Sequence, residues 1–259
     1  MNRKIVNSVE TGSPQGERAV NATSKQGSQG SLPSPPGGGR WEGTKANLRT
    51  IIGAVLLASF IRVVLFEAFE IEGPSMEPTL LNGDRVVVAK FMYGLFLPFA
   101  HQASLRWGQP KAGDVVIVKS PADEIDIVKR VIGVPGDRIE MRNDVLYRNG
   151  KALSQLNIGP CLDADDRRIN DYGRCEWNRE DLGRGPYYTS HSVDSSPSIL
   201  HGMKVPEGHV FILGDHRDRS NDSRFFGPVH IARVKGRALL VYWSSEQGVR
   251  WHRLGKAIH

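Results

Sequence analysis

A serine flanked by prolines, a lysine inside a β-branched run, and a dense polar run after an apolar strand are the features of this 259-residue chain that could do chemistry. The serine is Ser75 in "EGPSMEPTLLNGD", residues 72–84. Pro74 and Pro78 keep the chain around it out of a helix, which leaves two readings: a turn cap or a presented nucleophile. The lysine is Lys129 in "EIDIVKRVIGV", where period-2 alternation sets it on one strand face with Ile125, Ile127 and Val131. An ammonium among apolar neighbours loses hydration, so its neutral form gains, and a neutral amine is a general base. Snorkelling at a sheet edge is the competing reading. Lys119 alternates in the same way but stands against Ser120 and Pro121 at a strand end, where exposure is expected. The polar run is "GDHRDRSNDSRFFGPV", residues 214–229, which suits either hydrogen-bonded turns or an active-site wall.

Ahead of these residues lie two segments of other character. Residues 1–45 are rich in Ser, Gly, Gln and Pro, offer almost nothing to bury, and read as a disordered tail. "TIIGAVLLASFIRVVLF", residues 50–66, is apolar except for Arg62, and at 1.5 Å per residue it makes about 25 Å of helix. A turn added at either end gives a single membrane anchor over 46–68, with Arg62 snorkelling to the interface. A buried core helix is the other reading. Arg40, Lys45 and Arg49 precede the run and Glu67, Glu70 and Glu72 follow it. The excess of positive charge before the run places the tail in the cytoplasm and the rest outside, as a single-pass protein of the cytoplasmic membrane. The run starts too far from the N-terminus for a cleaved signal peptide and has no clear small-x-small site after it.

Beyond the anchor, "DRVVVAK", "GDVVIVKS", "EIDIVKRVIGV", "GHVFILGD" and "GRALLVYW" read as strands bounded by Gly, Pro and Asp. The expected fold is mostly β: one N-terminal transmembrane helix, then an antiparallel β-sheet domain over 69–259. "VPGD" puts Pro135 and Gly136 at the centre of a type II turn, and "RNGK" puts Asn149 and Gly150 in a type I′ hairpin. Residues 153–198 are polar and weakly periodic, so 140–207 is expected to be an inserted, partly irregular subdomain. With 39% hydrophobic and 24% charged residues the chain is not a bundle of membrane helices. Its net charge of +6 is scattered rather than striped, which argues against nucleic acid.

"PSMEPTL" at 74–80, "KRVIGVPGD" at 129–137 and "GDHRDRSNDSR" at 214–224, in that order after one anchor and with "GDVVIV" between the first two, resemble the type I signal peptidases, or leader peptidases. The resemblance spans about 73–237 and omits the tail and the insertion. It implies a serine/lysine dyad in which Ser75 attacks the scissile carbonyl and neutral Lys129 takes its proton. It further implies Ser220 as a hydroxyl that aims the amine, Asp222 and Arg224 as a supporting pair, and Asp215 and Arg217 in a similar role. The family cleaves signal peptides from preproteins after small-x-small sequences. The implied substrate wall includes Ile71, Gly73, Pro74 and Met76, with the peptide added as a β-strand.

Two departures from the family pattern stand out. His216 and Arg219 occupy places where asparagine is usual, and His216 admits a Ser–His reading with Asp215 or Asp218 as its orienter. Gly73 stands where some relatives carry a hydroxyl that binds the oxyanion; loss of one such donor costs about 3 kcal/mol in hydrolases. Cys161 and Cys175 both fall in the insertion on the expected outer side, where a bridge closing about 15 residues is worth roughly 3 kcal/mol. No metal-ligand spacing appears, so no metal and no cofactor are expected. The expected partners are preproteins and a lipid bilayer. The competing function is a membrane-anchored β-domain that binds a partner protein without chemistry.

Overall fold

The computed structural model describes residues 40–95, 105–161 and 175–259. The chain divides into two compact units, Met1–Arg49 and Thr50–His259. Of the first unit the described residues are helical, and the expected tail lies outside the described residues as far as residue 39. In chain order the elements are α1 (Arg40–Leu65), β1 (Phe66–Glu70), β2 (Asp84–Ala89), β3 (Gly94–Leu95), β4 (Leu105–Arg106), β5 (Val115–Lys119), β6 (Asp126–Gly133), β7 (Arg138–Arg142), β8 (Val145–Arg148), β9 (Lys151–Ala152), β10 (Ser154–Pro160), β11 (Cys175–Asp181), β12 (Pro186–Ser192), β13 (Leu200–Lys204), β14 (His209–Leu213), a one-turn helix α2 (Ser223–Phe226), β15 (Val229–His230) and β16 (Val234–Ser244).

Helix α1 starts at Arg40, inside the stretch read as tail, and passes straight into β1 at Phe66, short of residue 68. Ile52, Val55, Leu56, Leu57, Phe60 and Ile61 are 40–65% exposed along it. Among the described residues no helix is long and apolar enough to cross a membrane. Thr50, Gly53 and Ser59 dilute the apolar run, and the turns before Leu48 are polar in sequence.

The body is mostly β. A seven-stranded sheet runs in the order β1-β2-β16-β5-β6-β14-β15, and every neighbouring pair is antiparallel. Strand β5 reads Val-Val-Ile-Val, and its alternation serves two cores. Val115 and Ile117 join Ile71, Met76, Val86 and Val241, while Val116 and Val118 join Val131, Val210, Ile212 and Val234. Successive strand residues point to opposite faces, so the middle of this sheet is covered on both sides. Both expected turns are present. Gly136 has φ +90° and the Asp137 N–H donates to the Val134 carbonyl over 3.0 Å. Asn149 and Gly150, at φ +56° and +78°, join β8 to β9.

The inserted region is more regular than its polarity indicates. Strands β13-β7-β8-β9 form one antiparallel sheet and β10-β11-β12 another. A third core of Ile132, Ile139, Met141, Leu146, Phe211 and Leu213 includes side chains from β6, β7, β8 and β14. Strand β10 is exposed along most of its length, so its cross-strand hydrogen bonds rather than a buried face hold it extended, and hydrophobic alternation does not reveal it.

Candidate active site

Ser75 sits in the connection between β1 and β2. The Gly83 N–H donates to the Ile71 carbonyl over 2.9 Å and the Ile71 N–H to the Asp84 carbonyl over 2.8 Å, which closes the connection at its base. Inside it the Glu77 N–H donates to the Pro74 carbonyl over 3.0 Å, and Met76 and Leu80 plunge fully into the core. The turn, with the anchored Met76 next in the chain, fixes where Ser75 points. Its carbonyl accepts from the His216 N–H over 3.1 Å, whereas its own N–H makes no hydrogen bond among the described residues.

Lys129 lies in the middle of β6, the fifth strand of the seven. Ile127 and Val131 pack into one core and Val128 against the other, so neither face of the strand offers water to an ammonium. The lysine is 3% exposed, and its Nζ stands 2.8 Å from Ser75 Oγ and 2.8 Å from the Val128 carbonyl oxygen. Burial pushes its pKa down to about 8 against the pull of the Asp222 and Asp215 carboxylates, with Arg224 adding to the lowering.

The third motif wraps this pair. Gly214 packs so closely that a Cβ there would lie 2.3 Å from Ser220 Oγ and 2.4 Å from the Ser75 carbonyl oxygen, so only glycine fits. Asp222 caps α2, accepts from the Gly214 N–H over 3.0 Å and receives the Arg224 guanidinium at 2.8 Å and 2.9 Å. Ser220 Oγ is buried with no hydrogen-bond partner among the described residues, and the amine's second contact is the Val128 carbonyl.

Asp215 and Arg217, expected in one supporting role, turn to different partners. Asp215 binds Arg130, the residue after the lysine, through two parallel bonds of 2.8 Å and 2.7 Å, and accepts from Thr79 Oγ1 over 2.6 Å. Arg217 pairs with Glu180 of β11 at 2.9 Å and 2.6 Å. The reason is direction: β14 ends at Leu213 and the chain coils into a 3-10 turn at Arg217–Arg219, so strand alternation no longer holds, and Asp215 faces Arg130 of β6 while Arg217 turns to Glu180 of β11. Arg130 and Thr79 lie inside the motifs "KRVIGVPGD" and "PSMEPTL" but carried no mark of this role, and nothing in the polar stretch 153–198 marked Glu180.

The residues expected to form the substrate wall separate into two sets. Ile71 and Met76 are 4% and 0% exposed and belong to the core. Gly73 and Pro74 are part-exposed beside the serine. Gly73 has φ +82° and donates its N–H to Asn82 Oδ1 over 2.9 Å. A left-handed backbone disfavours any side chain there, so the place of the missing hydroxyl is set by conformation. His216 is buried, with its pKa pushed down to about 4 by burial and by Arg219. Lys119 is half-buried at its strand end and pairs with Glu124 at 3.4 Å. Cys161 and Cys175 are joined as a disulfide, Cα to Cα 5.4 Å, where the ends of β10 and β11 meet.

Comparison with known proteins agrees on one family. The family model described as signal peptidase, peptidase S26, matches residues 44–243. A signal peptidase I of Bacillus licheniformis is 35% identical over 198 residues, 76% of this chain and 87% of that protein. One from Pseudomonas fluorescens is 32% identical over 188 residues, 71% of this chain and 64% of that protein. A crystal structure of a signal peptidase I from Enterococcus faecalis V583 shares 32% sequence identity, covering 50% of this chain and 96% of that one at a TM-score of 0.30. With the family model spanning most of its length, the chain belongs to the signal peptidase family, peptidase S26, and so to the peptide-bond hydrolases.

Proposed function

We propose that the chain is a membrane-held serine endopeptidase that removes signal peptides from exported preproteins, with Ser75 as nucleophile and Lys129 as general base. The observation that carries this is the 2.8 Å approach of the buried Lys129 Nζ to the Oγ of Ser75, a residue that is itself part-exposed. A neutral amine has two N–H groups and one lone pair. One N–H goes to the Val128 carbonyl, and the lone pair faces the serine hydroxyl.

As Ser75 Oγ bonds to the scissile carbonyl carbon, its proton passes to Nζ and the carbonyl oxygen becomes an oxyanion. The unengaged Ser75 N–H is the donor within reach of that charge; Gly73 supplies none from a side chain. When the tetrahedral intermediate collapses, the leaving amine takes the proton from Nζ and an acyl ester stays on Ser75. Lys129 then deprotonates the water that releases it. Ser220, buried and without a partner among the described residues, is the hydroxyl offered to the amine while Ser75 Oγ is acylated. Asp222 with Arg224, and Asp215 with Arg130, stiffen the walls. The substrate runs as an added strand past Gly73 and Pro74, its small residues admitted because Ile71 and Met76 fill the floor.

Helix α1 is the membrane element in this reading, supported by its exposed apolar residues. The flanking charges put 1–45 on the cytoplasmic side and 69–259 outside, with 140–207 as the inserted part.

Cleavage of a labelled preprotein by the wild type, Ser75→Ala, Lys129→Met and His216→Ala, with the new N-terminus sequenced, tests the reading. The two dyad variants are expected to fold and to lose at least about a thousandfold in kcat, while His216→Ala cuts after a small residue. A cutting Ser75→Ala would return the protein to a binding module; a dead His216→Ala beside an active Lys129→Met would make the histidine the base.

A further inference from the structure

The sheet β10-β11-β12 lies outside the three sequence motifs, yet its residues reach the supports of the dyad. Arg130 is fully buried and all five of its N–H donors are engaged: two on Asp215, one on Thr79 Oγ1 at 3.2 Å, one on the Gly113 carbonyl at 3.0 Å and one on the His259 carbonyl at 2.6 Å. These partners hold the guanidinium within its plane and leave its faces to packing. The Tyr187 ring of β12 covers one face, 4.1 Å from Cζ. Tyr187 is itself 4% exposed and donates its hydroxyl to Glu180 Oε2 over 2.7 Å, on the same carboxylate that takes the Arg217 fork. Arg217 in turn donates Nε to the Gly214 carbonyl over 3.3 Å. Beside them Ser190 donates its N–H to the Asp215 carbonyl over 2.9 Å and its Oγ to the Glu77 carbonyl over 3.0 Å.

We infer that the β11–β12 strand pair sets the separation of the serine and the lysine, with Tyr187 as the positioning residue that holds the Arg130 guanidinium in place. The inference rests on the reading of Ser75 and Lys129 as nucleophile and base. Arg130 is bonded in sequence to Lys129 and hydrogen-bonded to Thr79, four residues from Ser75. A guanidinium that tips out of plane therefore moves both partners of a 2.8 Å contact. It also uncovers the Asp215 carboxylate, whose charge raises the lysine pKa.

Tyr187→Phe keeps the ring and drops the hydroxyl; Tyr187→Met keeps bulk and drops the ring. Steady-state kinetics across pH on both, with thermal unfolding alongside and Ser75→Ala as a blank, makes the test. In Tyr187→Met, kcat is expected to fall roughly tenfold to a hundredfold, the scale of a displacement by about an ångström. KM stays within about twofold, and the acid limb of kcat moves to higher pH. Tyr187→Phe is expected to keep the wild-type limb and most of kcat. If Tyr187→Met does not fold, pentafluorophenylalanine at 187 keeps the shape and reverses the charge on the ring face, and the same loss is expected. A folded Tyr187→Met, or the fluorinated variant in its place, with wild-type kcat and limb would overturn the inference, as would equal losses in Tyr187→Phe. Cleavage by Ser75→Ala would instead overturn the dyad reading beneath it.

Discussion

Lys129 shows what the burial of a single amine costs in stability. Its ordinary pKa of 10.5 drops to about 8 in the fold because burial penalises the ammonium more than Asp222 and Asp215 favour it. The folded protein thus holds this proton less tightly than the unfolded chain, and between about pH 8 and 10.5 unfolding takes up a proton. Stability from this group therefore rises with pH across that window, and below it the full penalty stands at about 3 kcal/mol. Lys129→Met removes the penalty. Urea unfolding at pH 7 is expected to show the variant more stable than wild type by up to that amount, with the gap closing as pH climbs from 8 to 10.5. A variant less stable than wild type at pH 7 would mean that the amine contributes its bonds as an ammonium. At this scale the sequence was informative: β-branched neighbours around one lysine, and prolines around one serine, are local patterns. That Ser220 Oγ meets no partner among the described residues and that Asp215 turns to Arg130 are not local, because each depends on which strand lies alongside.

At the scale of elements, the site is the place where the β1–β2 connection, the middle of β6 and the exit of β14 converge. Gly214 is the tightest point of that convergence, with Ser220 Oγ and the Ser75 carbonyl both against its α-carbon. A methyl group there has to push the nucleophile's own backbone. Gly214→Ala is expected to lower the unfolding free energy by about 1–3 kcal/mol, the range for overpacking. It should lower kcat by roughly a hundredfold, as a displaced nucleophile would. Calorimetry and kinetics on the same preparation check both, and an alanine variant that cuts at the wild-type rate would show that the serine segment yields freely. Strands with buried apolar alternation, and turns with Pro-Gly or Asn-Gly, were legible from sequence. Strands β10 to β12 were not, since their pairing is satisfied by backbone bonds on a polar, partly exposed sheet that leaves no hydrophobic period.

At the scale of the whole molecule, the proposed function makes α1 the element that holds the protein at a membrane. Its exposed apolar residues favour a lipid surface, each buried large side chain contributing about 1.5–3 kcal/mol. The double variant Val55→Glu and Phe60→Glu is expected to shift the protein from the vesicle pellet to the supernatant in a co-sedimentation assay. Its kcat on a short soluble peptide should stay within about twofold, because neither residue belongs to the sheet. Retention on vesicles would point to another membrane contact in the β body.

The chain's own order of residues determined the family and the mostly β character and singled out Ser75 and Lys129 as candidates, because each of these rests on short runs whose side chains and backbone preferences act within a few residues. Only the tertiary structure decided that Lys129 is closed off on both faces, that Arg130 and not Arg217 answers Asp215, that Gly214 admits no side chain, and that Tyr187 and Glu180 lie against Arg130 and Arg217. Burial, charge pairing and close approach are relations between segments far apart in the chain, and they exist only once the sheet order β16-β5-β6-β14 brings those segments side by side.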